Sequence, residues 1–146
     1  MLHNLVHRKT FKPGFEWIWT VINWVVGPLF GQTPFTYAAH HIGMHHSEGN
    51  LPDDLSSTMK YQRDSKLHFL IYWLDFLILG LPRLAHYHYK NRRWKLLKQL
   101  LIGELFYWLI TAILFVLNPM ATVIVLWVPL FIARLLMMAG NWGQHA

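Results

Sequence analysis

The sequence predicts an all-α integral membrane protein with one transmembrane helical hairpin, flanking interfacial helices and a cytoplasmic histidine-rich face. Three observations carry this. The 146 residues are 54% hydrophobic, 16% aromatic and only 14% charged, against about 25% charged in an ordinary soluble domain. Two apolar runs of 18 residues, 100–117 and 121–138, are joined only by Asn118, Pro119 and Met120. A helix needs about 20 residues to cross about 30 Å of hydrocarbon. Finally, the ten His all fall outside that hairpin. A small domain leaves much of its surface in water, so eight Trp, nine Phe and six Tyr point to a surface shared with lipid.

The elements follow in order. Residues 1–14 are polar and basic and carry His3 and His7. Residues 15–31 form an aromatic apolar stretch interrupted by Glu16, Asn23 and Pro28. It lacks the small-residue cleavage pattern of a signal peptide and is expected to lie in the interface. Residues 32–68 are the largest water-facing block and hold the densest His cluster. The run from Phe69 to Leu81 contains Asp75 and is too short to span, so it too is expected to be interfacial or re-entrant. The 100–138 hairpin turns at Asn118-Pro119, a strong turn signal. Glu104 and Arg134 lie near the same end of its two arms and are expected to pair. Residues 141–146 close the chain.

Every Lys and Arg except Arg134 lies outside the hairpin, and Asn118 sits in an uncharged turn. By the positive-inside rule the basic segments are cytoplasmic. The formal charge of +6 is therefore read as membrane orientation, with no nucleic-acid partner. A hairpin returns to its starting side, so every His reaches one cytoplasmic face. The absence of Cys excludes disulfides, thiolate zinc sites, Cys-ligated iron–sulfur clusters and a Cys nucleophile.

His residues thus hold the obvious chemistry. Side chains four apart on a helix share a face, so His3/His7 and His41/His45 are each placed to hold a metal ion. His46 is expected to point about 100° away, towards a second ion. Imidazole suits Fe, Zn, Cu and Ni alike. An isolated HxxxH arises readily by chance; four His within residues 40–46 do not. His40 is an additional candidate ligand. His68 reads instead as a headgroup-facing cap, and His86 and His88 as snorkelling residues among Tyr87, Tyr89 and Trp94. Asp53 and Asp54 read as a turn after Pro52, or as carboxylates accepting N–H bonds from ligating imidazoles.

These motifs resemble the membrane fatty acid desaturase and hydroxylase superfamily. His3 and His7, in HNLVHR, match its first histidine box. His41, His45 and His46 match the second, here as HxxxHH rather than the commoner HxxHH. His145 in NWGQH, preceded by Asn141, matches the isolated ligand after the hairpin. The second box and Pro-Asp-Asp also look like the alkane monooxygenase branch. The family places a hairpin before the first box and a further HxxHH beyond the isolated His. This sequence therefore resembles the central part of such an enzyme.

The resemblance implies two non-haem Fe ions held by His3, His7, His41, His45, His46 and His145, with Asp53, Asp54 and Asn141 as supporting residues. It implies O2 as co-substrate and a fatty acyl lipid or acyl-CoA as substrate. Electrons would come ultimately from NAD(P)H through cytochrome b5 or a ferredoxin, with the basic stretch Lys90 to Lys98 as a docking face for an acidic donor or anionic headgroups. The membrane would be the endoplasmic reticulum in a eukaryote. Desaturation is the leading expectation, with lipid or alkane hydroxylation as the alternative. A truncated, non-catalytic membrane fragment is a third reading, since six imidazoles are too few for two octahedral irons.

Overall fold

The computed structural model describes residues 11–145; His3 and His7 lie outside them. Among the described residues the regular structure is helical, with no strand. We number five helices: α1 (Trp17–Leu29), α2 (residues 36–48), α3 (Lys66–Lys90), α4 (Trp94–Leu117) and α5 (Pro119–Gln144). The last three are long and apolar enough to cross a membrane.

The extent of α3 differs from expectation. The apolar run 69–81 is too short to span, but it lies inside a helix of 25 residues, about 37 Å at about 1.5 Å per residue. Counting apolar residues missed its ends because polar residues need not break a helix. The Ser65 hydroxyl caps the start by accepting the His68 N–H at 3.3 Å, and Pro82 is absorbed inside the helix. Asp75 accepts from Arg83 at 2.5 Å, two turns away. α3 is also the least apolar of the three, with mean hydropathy 1.4 against 2.3 for α4 and 2.2 for α5.

The Asn118-Pro119 turn forms as its chemistry dictates. Asn118 Oδ1 accepts the Ala121 N–H at 3.0 Å, and Pro119 takes the first helical position, where no N–H is needed. α4 and α5 then pack antiparallel, with the Phe115 and Trp127 rings stacked at 4.9 Å. Most of their side chains face outward: Leu105 is 71% exposed and Val116 81%. The buried apolar cluster lies elsewhere, where Ala39 and Met44 of α2 meet Leu84 of α3 and Leu100 of α4. An outward apolar surface loses nothing in lipid, whereas in water burying it would be the main driving force. The tightly packed region is therefore the one beneath α2.

One polar node ties the segment before α2 to the hairpin. Glu104, buried in α4, accepts hydrogen bonds from the hydroxyls of Thr33 and Thr36 and from Trp108 Nε1. Arg134 of α5 stands 3.9 Å from the same carboxylate. The expected pair thus exists, but the hydroxyls and the indole are the nearer partners. Beside this node Gly103 lets α4 lie directly against the Pro34 carbonyl, where a Cβ would collide with backbone.

Gly103→Ala should force α4 away from that carbonyl and lower stability by about 1–3 kcal/mol. Gly140→Ala, whose Cβ would meet nothing within 4 Å, should be neutral or stabilise by about 0.5–1 kcal/mol. Thermal unfolding of both variants in detergent checks the contrast.

Candidate functional site

The densest His cluster lies on α2, which does not keep ordinary helical spacing. Residues His41–His45 form a π-type turn, and the His46 N–H bonds to the His41 carbonyl, five residues back. Such wide turns are rare and recur at functional sites. Here the widened turn carries His46 over His41: their rings lie 4.5 Å apart and their Nε2 atoms 3.1 Å apart. The expectation that His46 points about 100° away assumed 3.6 residues per turn and is corrected by this geometry. The His41 and His45 rings are 5.6 Å apart.

The loop after α2 brings up the carboxylate. Gly49 and Asn50 both take left-handed φ, 56° and 65°, which ends the helix and turns the chain back along it. Asp54 is buried and accepts four hydrogen bonds: from His45 Nδ1 at 2.6 Å, the Asn50 N–H at 2.9 Å, and the Ser56 N–H and Oγ at 2.8 and 2.7 Å. Burial alone would raise this carboxyl, but the bonds from His45 and Ser56 outweigh it and hold it at about 2. With Nδ1 committed to Asp54, Nε2 of a neutral His45 is left as the unprotonated nitrogen, able to donate its lone pair. Asp53 is exposed and takes no part.

His145 arrives from the end of α5, its ring 5.4 Å from that of His45. Asn141 serves the loop instead of an imidazole: its Nδ2 donates to the Ser56 carbonyl and to the Tyr72 hydroxyl, both at 2.7 Å. Tyr72 in turn donates to the Ser56 carbonyl at 3.1 Å, and Thr58 Oγ1 reaches the His145 carbonyl at 3.4 Å. Loop 50–58 therefore fastens α2, α3 and α5 together. Ser56, Thr58 and Tyr72 escaped the sequence reading. The Ser-Ser-Thr string after Asp54 was the available signal for the first two, and a lone Tyr in an apolar run gave none for the third.

His40 and His88 occupy the floor. His40 is 6% exposed, and neither ring nitrogen has a partner among the described residues. Its ring stacks parallel to that of His45 at 6.2 Å. Burial, aided by the neighbouring His45 and His88 and opposed by Asp54, holds its pKa down to about 4. His88 is no snorkelling belt residue: it is fully buried, with Nε2 3.1 Å from the Ala39 carbonyl. The sequence pattern puts His88 beside exposed aromatics, but its face of α3 turns under α2, where Gly43 leaves room for the ring. His68 is half-buried, and its Nδ1 accepts the Gln62 N–H at 2.7 Å.

His40, His41 and His45 line a cleft of about 200 Å³ with Tyr37, Ser56 and Asn141. Among the described residues no three His, Asp or Glu side chains form a finished metal-binding group. The donor chemistry nonetheless suits a borderline metal: imidazoles gathered from α2 and α5, one oriented by a carboxylate, and a buried imidazole with unpartnered nitrogens facing the cleft.

The pKa displacement of His40 has a measurable consequence. The unfolded chain takes up this proton near 6.5 and the folded chain only near 4. Metal-free protein should therefore lose stability as pH falls through that interval, by about 3 kcal/mol in full. Asp54 adds a second loss, complete above 3.8 in its stabilising effect and fading as pH falls towards about 2. Denaturant titrations across pH should show His40→Phe flattening the upper step and leaving the lower one.

The family model described as Fatty acid desaturase matches residues 1–146. No curated protein and no solved structure matches the chain.

Proposed function

The chain belongs to the fatty acid desaturase family, and on that premise we propose that it introduces a double bond into a fatty acyl chain at a non-haem di-iron centre. The ligands would be His3, His7, His41, His45, His46 and His145, with His40 as an additional donor. The observation that carries this reading is the convergence of the His41, His45, His46 and His145 rings, with Asp54 holding the His45 tautomer.

When bound, the metal pair would supply the oxidising power for hydrogen removal from an unactivated methylene, which no side chain has. The chain's own residues orient and exclude. Asp54 fixes the His45 ring, and Ser56, through its N–H and hydroxyl, fixes Asp54. Tyr72 and Asn141 hold the end of α5, and thereby His145, against loop 50–58. The net reaction takes two hydrogens from adjacent methylenes and, with two further protons and two electrons, reduces O2 to two waters. The electrons come from a reduced carrier such as cytochrome b5 or a ferredoxin, ultimately from NAD(P)H. Hydroxylation shares the first hydrogen removal and is the second reading, favoured by the HxxxHH form of the second box.

In this proposal α4 and α5 form the membrane hairpin, and α3 lies along the cytoplasmic face. Contacts to the His-bearing segments along the whole of α3 support that placement: Tyr72 to Ser56, the Phe76 ring at 5.1 Å from His40, and His88 to Ala39. Just past its end, Arg93 donates to the Gly43 carbonyl. A helix passing straight through the bilayer would leave these partners within its first few turns.

Incubation of the full-length protein with acyl lipid, a reductant system and labelled O2 tests the reaction. A double bond with no label in the product is expected; a labelled alcohol as sole product removes the desaturase reading. Asp54→Asn should weaken divalent metal binding about 10–100-fold, while Asp53→Asn leaves it unchanged. Equilibrium dialysis against Fe2+ or Co2+ reads both.

A further inference from the structure

We propose that the corner between α3 and α4 binds the headgroup of an anionic phospholipid. The turn there is tight: Asn91, Arg92 and Arg93 separate the helices, and Arg92 takes a left-handed φ of 54°. Lys90, Arg92, Lys95 and Lys98 are exposed around it. No carboxylate occurs in sequence between Asp75 and Glu104. Asp75 is occupied by Arg83, and Glu48, the acidic group nearest on α2, accepts from the Tyr87 hydroxyl. Arg93 is turned inward, onto the Gly43 carbonyl and the Tyr87 ring. Four cations are thus left facing outward with no acidic partner among the described residues.

What lies below them selects the occupant. Lys95, Lys98, Ile102, Leu105 and Leu109 recur at three- and four-residue intervals and share one stripe of α4. Ile102, Leu105 and Leu109 are 57%, 71% and 55% exposed, so the basic patch runs without interruption into the outward apolar surface. Lys98 stands four residues above Ile102, about 6 Å along the helix, which matches a headgroup layer of about 5–7 Å per leaflet. Tyr89 and Trp94, 60% and 49% exposed, pack edge to face at 5.4 Å beside the patch. Amphipathic aromatics flanked by cations mark the membrane interface. A soluble acidic protein would need the patch to stand clear of the bilayer, and this stripe keeps it at headgroup depth. Phosphate is the anion that layer offers, and four Lys and Arg side chains supply its donors.

The inference rests on reading α4 as a membrane helix, which is tested separately. The chain has no Cys, so single cysteines placed by Asn91→Cys and Asn118→Cys can be labelled in sealed vesicles with an impermeant maleimide. Labelling from opposite sides supports the membrane reading; labelling from the same side removes it and this inference with it. For the lipid itself, protein in nonionic detergent is given equal phosphatidylglycerol and phosphatidylcholine, and the retained lipids are counted by native mass spectrometry. Preferential retention of phosphatidylglycerol is expected. Lys95→Gln/Lys98→Gln should reduce the preference about fivefold per charge removed, with the circular dichroism spectrum unchanged. Lys60→Gln/Lys66→Gln, which removes two exposed cations elsewhere, should leave the preference intact. Equal retention of the two lipids by the unaltered chain overturns the proposal, as does a preference that survives the Lys95/Lys98 substitution.

Discussion

The buried carboxylate of Asp54 is the constraint on which the arrangement of the imidazoles depends. Its four hydrogen bonds come from His45 on α2 and from Asn50 and Ser56 within the loop that follows, and they fold that loop back along the helix. An isolated charge so deeply buried would cost several kcal/mol. It is tolerated because every lone-pair direction has a donor, which is also why it stays ionised. The consequence reaches beyond His45. With Ser56 fixed, its carbonyl accepts from both Tyr72 and Asn141, and the ends of α3 and α5 are drawn to the same loop. The ring-to-ring approach of His45 and His145 follows from that chain of bonds, since α2 and α5 are far apart in sequence.

Glu104 plays the corresponding part at the other end of α2. Within an apolar helix a carboxylate is costly unless satisfied, and here two Thr hydroxyls and an indole N–H satisfy it, with Arg134 close by. Thr33 lies just ahead of α2 and Thr36 is its first residue. The start of the His-bearing helix is therefore tied to the hairpin by polar bonds, while its apolar underside rests on Leu84 and Leu100. Polar nodes at both ends and an apolar floor between them explain how a short, widened helix can hold four imidazoles without a large core of its own. The hairpin contributes little packing and needs little, because lipid is as good a neighbour to leucine as protein is.

Much of this was legible from residues in order. The two apolar runs and the Asn-Pro turn are local chemistry: the runs lie inside the longer helices α4 and α5, and the chain turns between them. The Glu104–Arg134 proximity followed from the turn between them. The His cluster was visible as a density that chance does not readily supply. Other features were not local. The length of α3 was misjudged because its polar residues find partners within the fold, and the sequence shows the polarity but not the partners. The fate of His88 depended on which face of that helix turns under α2. Tyr72 carries no mark distinguishing it from any other aromatic in an apolar run.

The sequence by itself determined the helical class, the apolar hairpin, the family and the inventory of imidazoles, because each depends on composition or on spacing within one segment. The tertiary structure decided which imidazoles meet, which carboxylate of the Asp53-Asp54 pair is buried, and which His lies in the floor. It also decided the widened turn that sets His46 over His41, where regular helical spacing would separate them. Those outcomes depend on hydrogen bonds between segments tens of residues apart, and a buried polar group takes its partner from whatever the fold brings within reach.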